Sequence, residues 1–182
     1  MVRPDLNELP PVEMPAGYVV RTYEPGDELA WAAMMNSPLG IGSNWTHALV
    51  RERLILQPQF EPGCLFFAVD AGTGEPAATA TAWRIRPDDR EVGYLHMVAS
   101  LPTHRGRGLG RVVCLAALHY LRSHGFGSAA LTTDDPRLPA IATYLALGFV
   151  PDYWEDPASS QRARWSAVFA RLAAARRPRA AP

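Results

Sequence analysis

Hydrophobic residues change their spacing several times along the chain, and each change predicts an element. YVVRTYE alternates apolar and polar side chains with a period of two, as a strand with one buried face does. DELAWAAMM and NWTHALVRERLILQ repeat every three to four residues, which predicts two helices separated by the loop NSPLGIGS. CLFFAVDA and PAATATAWRIR read as strands joined by the glycine-rich turn GTGE, so they are expected to pair as a hairpin. YLHMVASL, after the polar PDDREVG, predicts a further strand. From Leu109 the period changes: Leu109, Val112, Val113, Ala116 and Tyr120 share one helical face, and this helix is expected to stop near HGFG. SAALTTD then reads as a buried strand, RLPAIATYLALG as a shorter helix ended by glycine, and FVPDYW as a last strand. DPASSQRARWSAVFARLAAARR reads as a helix opened by an Asp-Pro pair.

This order predicts a mixed α/β sheet with helices on its faces. Residues 1–16 are proline-rich and poorly patterned and are expected to form a flexible arm; 17–176 are expected to form a single domain, and 177–182 a disordered tail. Eighteen basic residues, all arginine, balance eighteen acidic ones, so the net charge is zero and neither nucleic acid nor an anionic membrane is an expected partner. The first fifteen residues lack the apolar core of a signal peptide, and no later run approaches membrane-spanning length, which together favour a cytoplasmic protein. Cys64 and Cys114 lie far apart in apolar surroundings without metal-ligand spacing, so buried free thiols and no metal site are expected.

The candidate chemistry begins at residues 104–111, HRGRGLGR. Glycines just before a helix leave backbone N–H groups uncovered where the helix dipole is positive, a site suited to phosphate or pyrophosphate. The spacing selects among such sites. A P-loop needs GxxxxGK, and this chain has no lysine; a dinucleotide fingerprint needs GxGxxG, whereas Gly106, Gly108 and Gly110 give GxGxG.

Arg105-x-x-Gly108-x-Gly110 resembles the acetyl-CoA loop Q/R-x-x-G-x-G/A of the GNAT superfamily of N-acetyltransferases. A second GNAT signature, alanine, tyrosine and Gly-Phe at fixed spacing, is matched by Ala140, Tyr144, Gly148 and Phe149. The likeness covers roughly residues 17–154 in element order, and its specific part is about 94–150. It implies a mostly antiparallel mixed sheet of about six to seven strands flanked by helices, with a splayed strand pair that holds coenzyme A. It further implies that backbone N–H groups of Arg105, Gly106, Arg107, Gly108, Leu109 and Gly110 hold the pyrophosphate of acetyl-CoA, with charge added by Arg105, Arg107 and Arg111. Pantetheine would lie along Val98, Ala99 and Ser100, and Tyr144 would protonate the departing thiolate. Two departures are visible. Arg137 stands where many members carry a cofactor-contacting asparagine, and the final segment has a helical period where the family usually closes with a seventh strand.

Acetylating an amine also requires a base or a water relay to take a proton. Period-two alternation along YLHMVAS puts Tyr94, His96, Val98 and Ser100 on one face, which makes His96 the candidate base, with Tyr94 or a water relay behind it. Asp134 and Asp135 would attract a cationic amine or act as loop acids and caps. The acceptor pocket implied by the likeness falls at NSPLGIGSNWTH and the hairpin, where Trp45 or Trp83 would form a wall or serve ordinary packing. The resulting expectation is acetyl transfer from acetyl-CoA to a primary amine of an unidentified small-molecule or peptide acceptor by direct attack. The alternative from the same motifs is an acyl-CoA-binding sensor or interaction module without turnover. A homodimer is left open.

Overall fold

The computed structural model describes residues 1–38, 42, 44–153 and 160–176. Six strands form one sheet: β1 (Val2–Arg3), β2 (Tyr18–Thr22), β3 (Leu65–Asp70), β4 (Pro76–Trp83), β5 (Val92–Ser100) and β6 (Ser128–Ala130). Their spatial order is β1-β6-β5-β4-β3-β2, and every pairing is antiparallel except β5 with β6. Five helices accompany them: α1 (Glu28–Asn36), α2 (His47–Val50, continued by a π turn over Arg51–Ile55), α3 (Leu109–Ser123), α4 (Leu138–Ala146) and α5 (Gln161–Arg176).

The central strands are buried on both faces, which explains their composition. β4 carries alanines and threonines where helices approach closely, and Ala77 through Trp83 are all buried. α3 packs over β3, β4 and β5 through an apolar stripe that includes Leu109, Val113, Ala117 and Leu121. The approach is close at Gly93, where a Cβ would lie 2.6 Å from the Leu121 side chain. On the far side of the sheet α1 contributes Trp31, Met34 and Met35 to the same core.

Two features of β5 create a site. It runs beside β4 as far as Ser100, but it pairs with β6 only from Val92 to Tyr94, so the parallel strands part beyond that point. β6 is consequently shorter than the predicted strand SAALTTD: it ends where its partner departs. β5 also carries a bulge. Thr81 pairs with His96 and Thr79 with Ala99, two steps on one strand against three on the other, and Met97 takes a φ of 49°. Cross-strand partners share a face, so Tyr94, His96 and Ala99 lie on one face and Leu95 and Ser100 on the other. The expectation that His96 and Ser100 share a face fails because the extra residue reverses the alternation.

The arm expected over residues 1–16 is docked instead. β1 pairs antiparallel with β6, Leu6 is 1% exposed, and the Leu6 N–H donates to the Gly127 carbonyl at 3.0 Å. The Arg3 guanidinium donates to the carbonyls of Leu147 and Glu8. The physical reason is the free edge of β6, whose buried backbone groups need partners. Val2 and Arg3 supply them before Pro4 ends the ladder.

The predicted last strand FVPDYW is reduced to one bridge between Val150 and Val2, since Pro151 has no N–H with which to continue. Trp154 of that segment, the Asp156-Pro157 helix start and the tail 177–182 lie outside the described residues. The helical period of the final segment does correspond to a helix: α5 packs Val168, Leu172 and Trp165 against α4 around Ile141. Arg164 also forms two hydrogen bonds with the Asp135 carboxylate, both at 3.0 Å.

Candidate active site

The parting of β5 from β6 opens a cleft of about 890 Å³. One wall is the end of β5: Val98, Ala99 and Ser100. The second is the glycine loop and the start of α3: Arg105, Gly106, Gly108, Leu109, Gly110 and Arg111. The third is the turn before α4, with Pro136 and Arg137, and one face of α4 itself, with Pro139, Ala140, Thr143 and Tyr144.

The loop has the geometry of an anion cradle. Gly106 and Gly108 take φ values of 75° and 78°, in the left-handed region that other residues enter at a cost, and no atom lies within 4 Å of where their Cβ atoms would be. The N–H groups of Gly106, Arg107, Gly108, Leu109 and Gly110 donate to no carbonyl among the described residues. They meet at the positive end of the fifteen-residue helix α3. Arg105 and Arg111 are exposed at the rim. Arg107, by contrast, does not line the cleft: its guanidinium donates to the Tyr18 hydroxyl at 2.7 Å and lies 5.8 Å from that ring's centre. Its side chain is therefore engaged with β2 and not with the cleft, contrary to the expectation that it adds charge to a phosphate there.

Tyr144 is buried in the wall from α4, packed edge-on against Phe149. Its hydroxyl makes no hydrogen bond among the described residues. Burial raises its pKa strongly, the Cys114 thiol adds to the rise, and the Arg137 guanidinium opposes it. The phenol is thus fully protonated near neutral pH, with a cation close enough to favour its anion. Arg137 also pairs with Asp134 at 3.0 Å. Of the two acids expected to draw in an amine, Asp134 is held by Arg137 and Asp135 by Arg164.

His96 stands two residues past the last β5–β6 pair, at the apex of the gap, and is not among the cleft's lining residues. It stacks on Trp83 with ring centres 6.0 Å apart, and lies 5.7 Å from the Tyr94 ring. Burial lowers its pKa, so it is neutral at pH 7. The Tyr94 hydroxyl is hydrogen-bonded to Thr132 at 2.7 Å. Trp45 packs edge-on against Trp31, and its backbone is tied to the Asn36 side chain; neither it nor Trp83 lines this cleft. Residues 39–41 and 43 of the expected acceptor loop lie outside the described residues.

The α4 face was readable from helical spacing once Tyr144 was chosen, because positions 136, 139–140 and 143 fall beside it. His104, which also lines the cleft, carries no such signal. Cys64 and Cys114 are buried free thiols, Cys64 pushed up to about 11 by burial and Cys114 higher still. Among the described residues no cluster of His, Cys, Asp and Glu is placed to hold a metal, and no helix is long and apolar enough to cross a membrane.

The model of the acetyltransferase (GNAT) family matches residues 28–149, a span that runs from α1 through the glycine loop to Phe149. The chain belongs to the GNAT acetyltransferase family. Mycothiol acetyltransferases from Thermomonospora curvata and Rhodococcus erythropolis are 35% and 34% identical to it, over 78% and 80% of this chain and 47% and 50% of theirs. The chain thus spans about half the length of the curated relatives it matches. Among solved structures, a chain of the NatC complex bound to Gag peptide and CoA superposes with a TM-score of 0.61 at 19% identity, covering 75% of this chain and 86% of that one. A GCN5-related N-acetyltransferase from Sphaerobacter thermophilus gives 0.59 at 23% identity, covering 73% and 41%. These neighbours share the GNAT fold, including the sheet and flanking helices described above.

Proposed function

We propose that this GNAT chain binds acetyl-CoA in the cleft and transfers the acetyl group to a primary amine of a small-molecule acceptor. The observation that carries the reading is the junction of three features in one cleft. The Gly106–Gly110 cradle meets the open edge of β5, and the buried Tyr144 hydroxyl has no protein partner among the described residues. The cradle suits a pyrophosphate, and the free edge of Val98 to Ser100 suits the amides of pantetheine, which would bond there as a missing strand does.

The reaction then divides between two sides of the sheet. Ser100 faces the start of α3, since its Oγ lies 3.7 Å from where a Gly110 Cβ would be, and His96 lies on the opposite face. An amine approaching from the His96 side would meet the thioester at the apex of the gap. Its nitrogen attacks the carbonyl carbon, a C–N bond forms, and neutral His96 takes the N–H proton. The C–S bond breaks, its electron pair goes to sulfur, and the Tyr144 hydroxyl protonates the thiolate. The Arg137 charge favours the phenolate until it regains a proton from solvent. The proton held by His96 returns to solvent, so the balance closes.

The likeness to mycothiol acetyltransferases supports a small molecule as acceptor, with a mycothiol-related amine as one candidate. The test is incubation of the protein and acetyl-CoA with amino acids, polyamines, aminoglycosides, peptides and mycothiol-related amines, detecting the acetylated product by mass. Turnover on one class identifies the acceptor. Tight CoA binding with no product from any of them would favour an acyl-CoA sensor instead.

A further inference from the structure

Two side chains of the glycine loop and one from β2 form one hydrogen-bonded chain. Arg107 donates to the Tyr18 hydroxyl at 2.7 Å, and that hydroxyl lies 2.8 Å from His104 Nδ1. Tyr18 is 8% exposed, at the start of β2, and its ring meets the His104 ring edge-on at 5.8 Å. His104 lines the cleft, and its other ring nitrogen, Nε2, bonds to no described residue.

The donor inventory fixes the direction of the chain. A guanidinium only donates, so the Tyr18 oxygen accepts from Arg107; if it also accepted from His104, its own O–H would have no acceptor among the described residues, whereas donating that hydrogen to His104 Nδ1 pairs every group. Accepting a bond from a cation also polarises the O–H and makes it the better donor. Nδ1 is then the acceptor, and a neutral imidazole carries its hydrogen on Nε2. We infer that the Arg107–Tyr18 pair locks His104 as the Nε2–H tautomer and that this N–H is a side-chain donor to a phosphate of the cosubstrate. The inference rests on the acetyl-CoA reading above. It explains why Arg107 is turned from the cleft: the arginine reaches the anion through two intermediaries, and the anchor on β2 holds the loop in place.

The first test needs no ligand. Nitrogen and carbon chemical shifts of His104 in the wild-type protein at neutral pH are expected to report the Nε2–H tautomer, moving toward a tautomer mixture in Tyr18→Phe. A wild-type Nδ1–H tautomer overturns the inference. The second test titrates CoA and 3′-dephospho-CoA calorimetrically into wild type, His104→Ala, Tyr18→Phe and the double variant. His104→Ala is expected to weaken CoA binding about tenfold, the scale of one hydrogen bond to a charged group. Tyr18→Phe is expected to weaken it less, and the double variant no more than His104→Ala alone. A loss seen with CoA but not with dephospho-CoA assigns the contact to the 3′-phosphate, and a loss with both assigns it to the pyrophosphate. Unchanged affinity in His104→Ala for both ligands, with wild type binding normally, overturns the inference and leaves the acetyl-CoA reading standing. Absence of binding by wild type itself overturns that reading, and the inference with it.

Discussion

The proposed mechanism gives Tyr144 and His96 opposite proton transfers, and burial acts oppositely on a phenol and an imidazole: it keeps the first protonated and the second neutral. For Tyr144→Phe we expect kcat to fall on the order of 10²-fold while CoA affinity changes little, since the hydroxyl is needed as charge develops on sulfur. Steady-state kinetics beside calorimetry checks this, and wild-type turnover would reduce Tyr144 to a packing residue. For His96, kcat at saturating amine should rise with pH along a limb whose midpoint lies below the ordinary imidazole value of about 6.5, because burial disfavours the protonated form that cannot act as a base. His96→Gln should flatten that limb. Two acceptors of different pKa separate enzyme from substrate, since an enzyme limb stays fixed and a substrate limb moves with the amine. At this scale the motifs pointed to Tyr144 and the glycines through local spacing. His104 and the diverted Arg107 were invisible, because their partner Tyr18 lies more than eighty residues away in sequence.

Among the elements, β5 and β1 decide the shape of the cleft. The bulge at Met97 sends His96 and Ser100 to opposite faces, and the proposed mechanism uses this by bringing cosubstrate and acceptor to different sides of the sheet. Simple alternation along YLHMVAS carries no trace of it, since one extra residue in a ladder is set by the pairing partner rather than by the strand itself. The same holds for the proline-rich N-terminus: its composition suggests a mobile arm, and only the vacant edge of β6 gives it a place. Leu6→Ala tests that placement. Loss of a fully buried leucine should cost about 2–4 kcal/mol of stability by denaturant unfolding, whereas an arm free in solution would show almost no change. Gly93→Ala should also destabilise, by about 1–3 kcal/mol, because α3 would have to move off β5 to clear the Leu121 side chain.

For the molecule as a whole, zero net charge with a cationic rim at the glycine loop fits a protein that holds an anionic ligand there. The order of elements was legible from hydrophobic periodicity, and the glycine-loop wall of the cleft from its glycines; the His104–Tyr18–Arg107 contacts were not, because they join segments distant in sequence. The claim that everything else depends on is that acetyl-CoA occupies this cleft, and the most direct measurement is the shift in melting temperature it causes in wild type and in Gly110→Glu. Gly110 lines the cleft in the first turn of α3, its φ is not in the left-handed region, and a Cβ there makes only an ordinary contact with Ser100. Glutamate should therefore leave the free protein's stability nearly unchanged or slightly raised, since a carboxylate suits a helix N-terminus, while its charge and bulk compete with the pyrophosphate. Ligand that binds only the folded state stabilises it by mass action, so acetyl-CoA should raise the wild-type melting temperature by several degrees and that of Gly110→Glu hardly at all. An equal shift in both proteins would put the cosubstrate elsewhere and contradict the account.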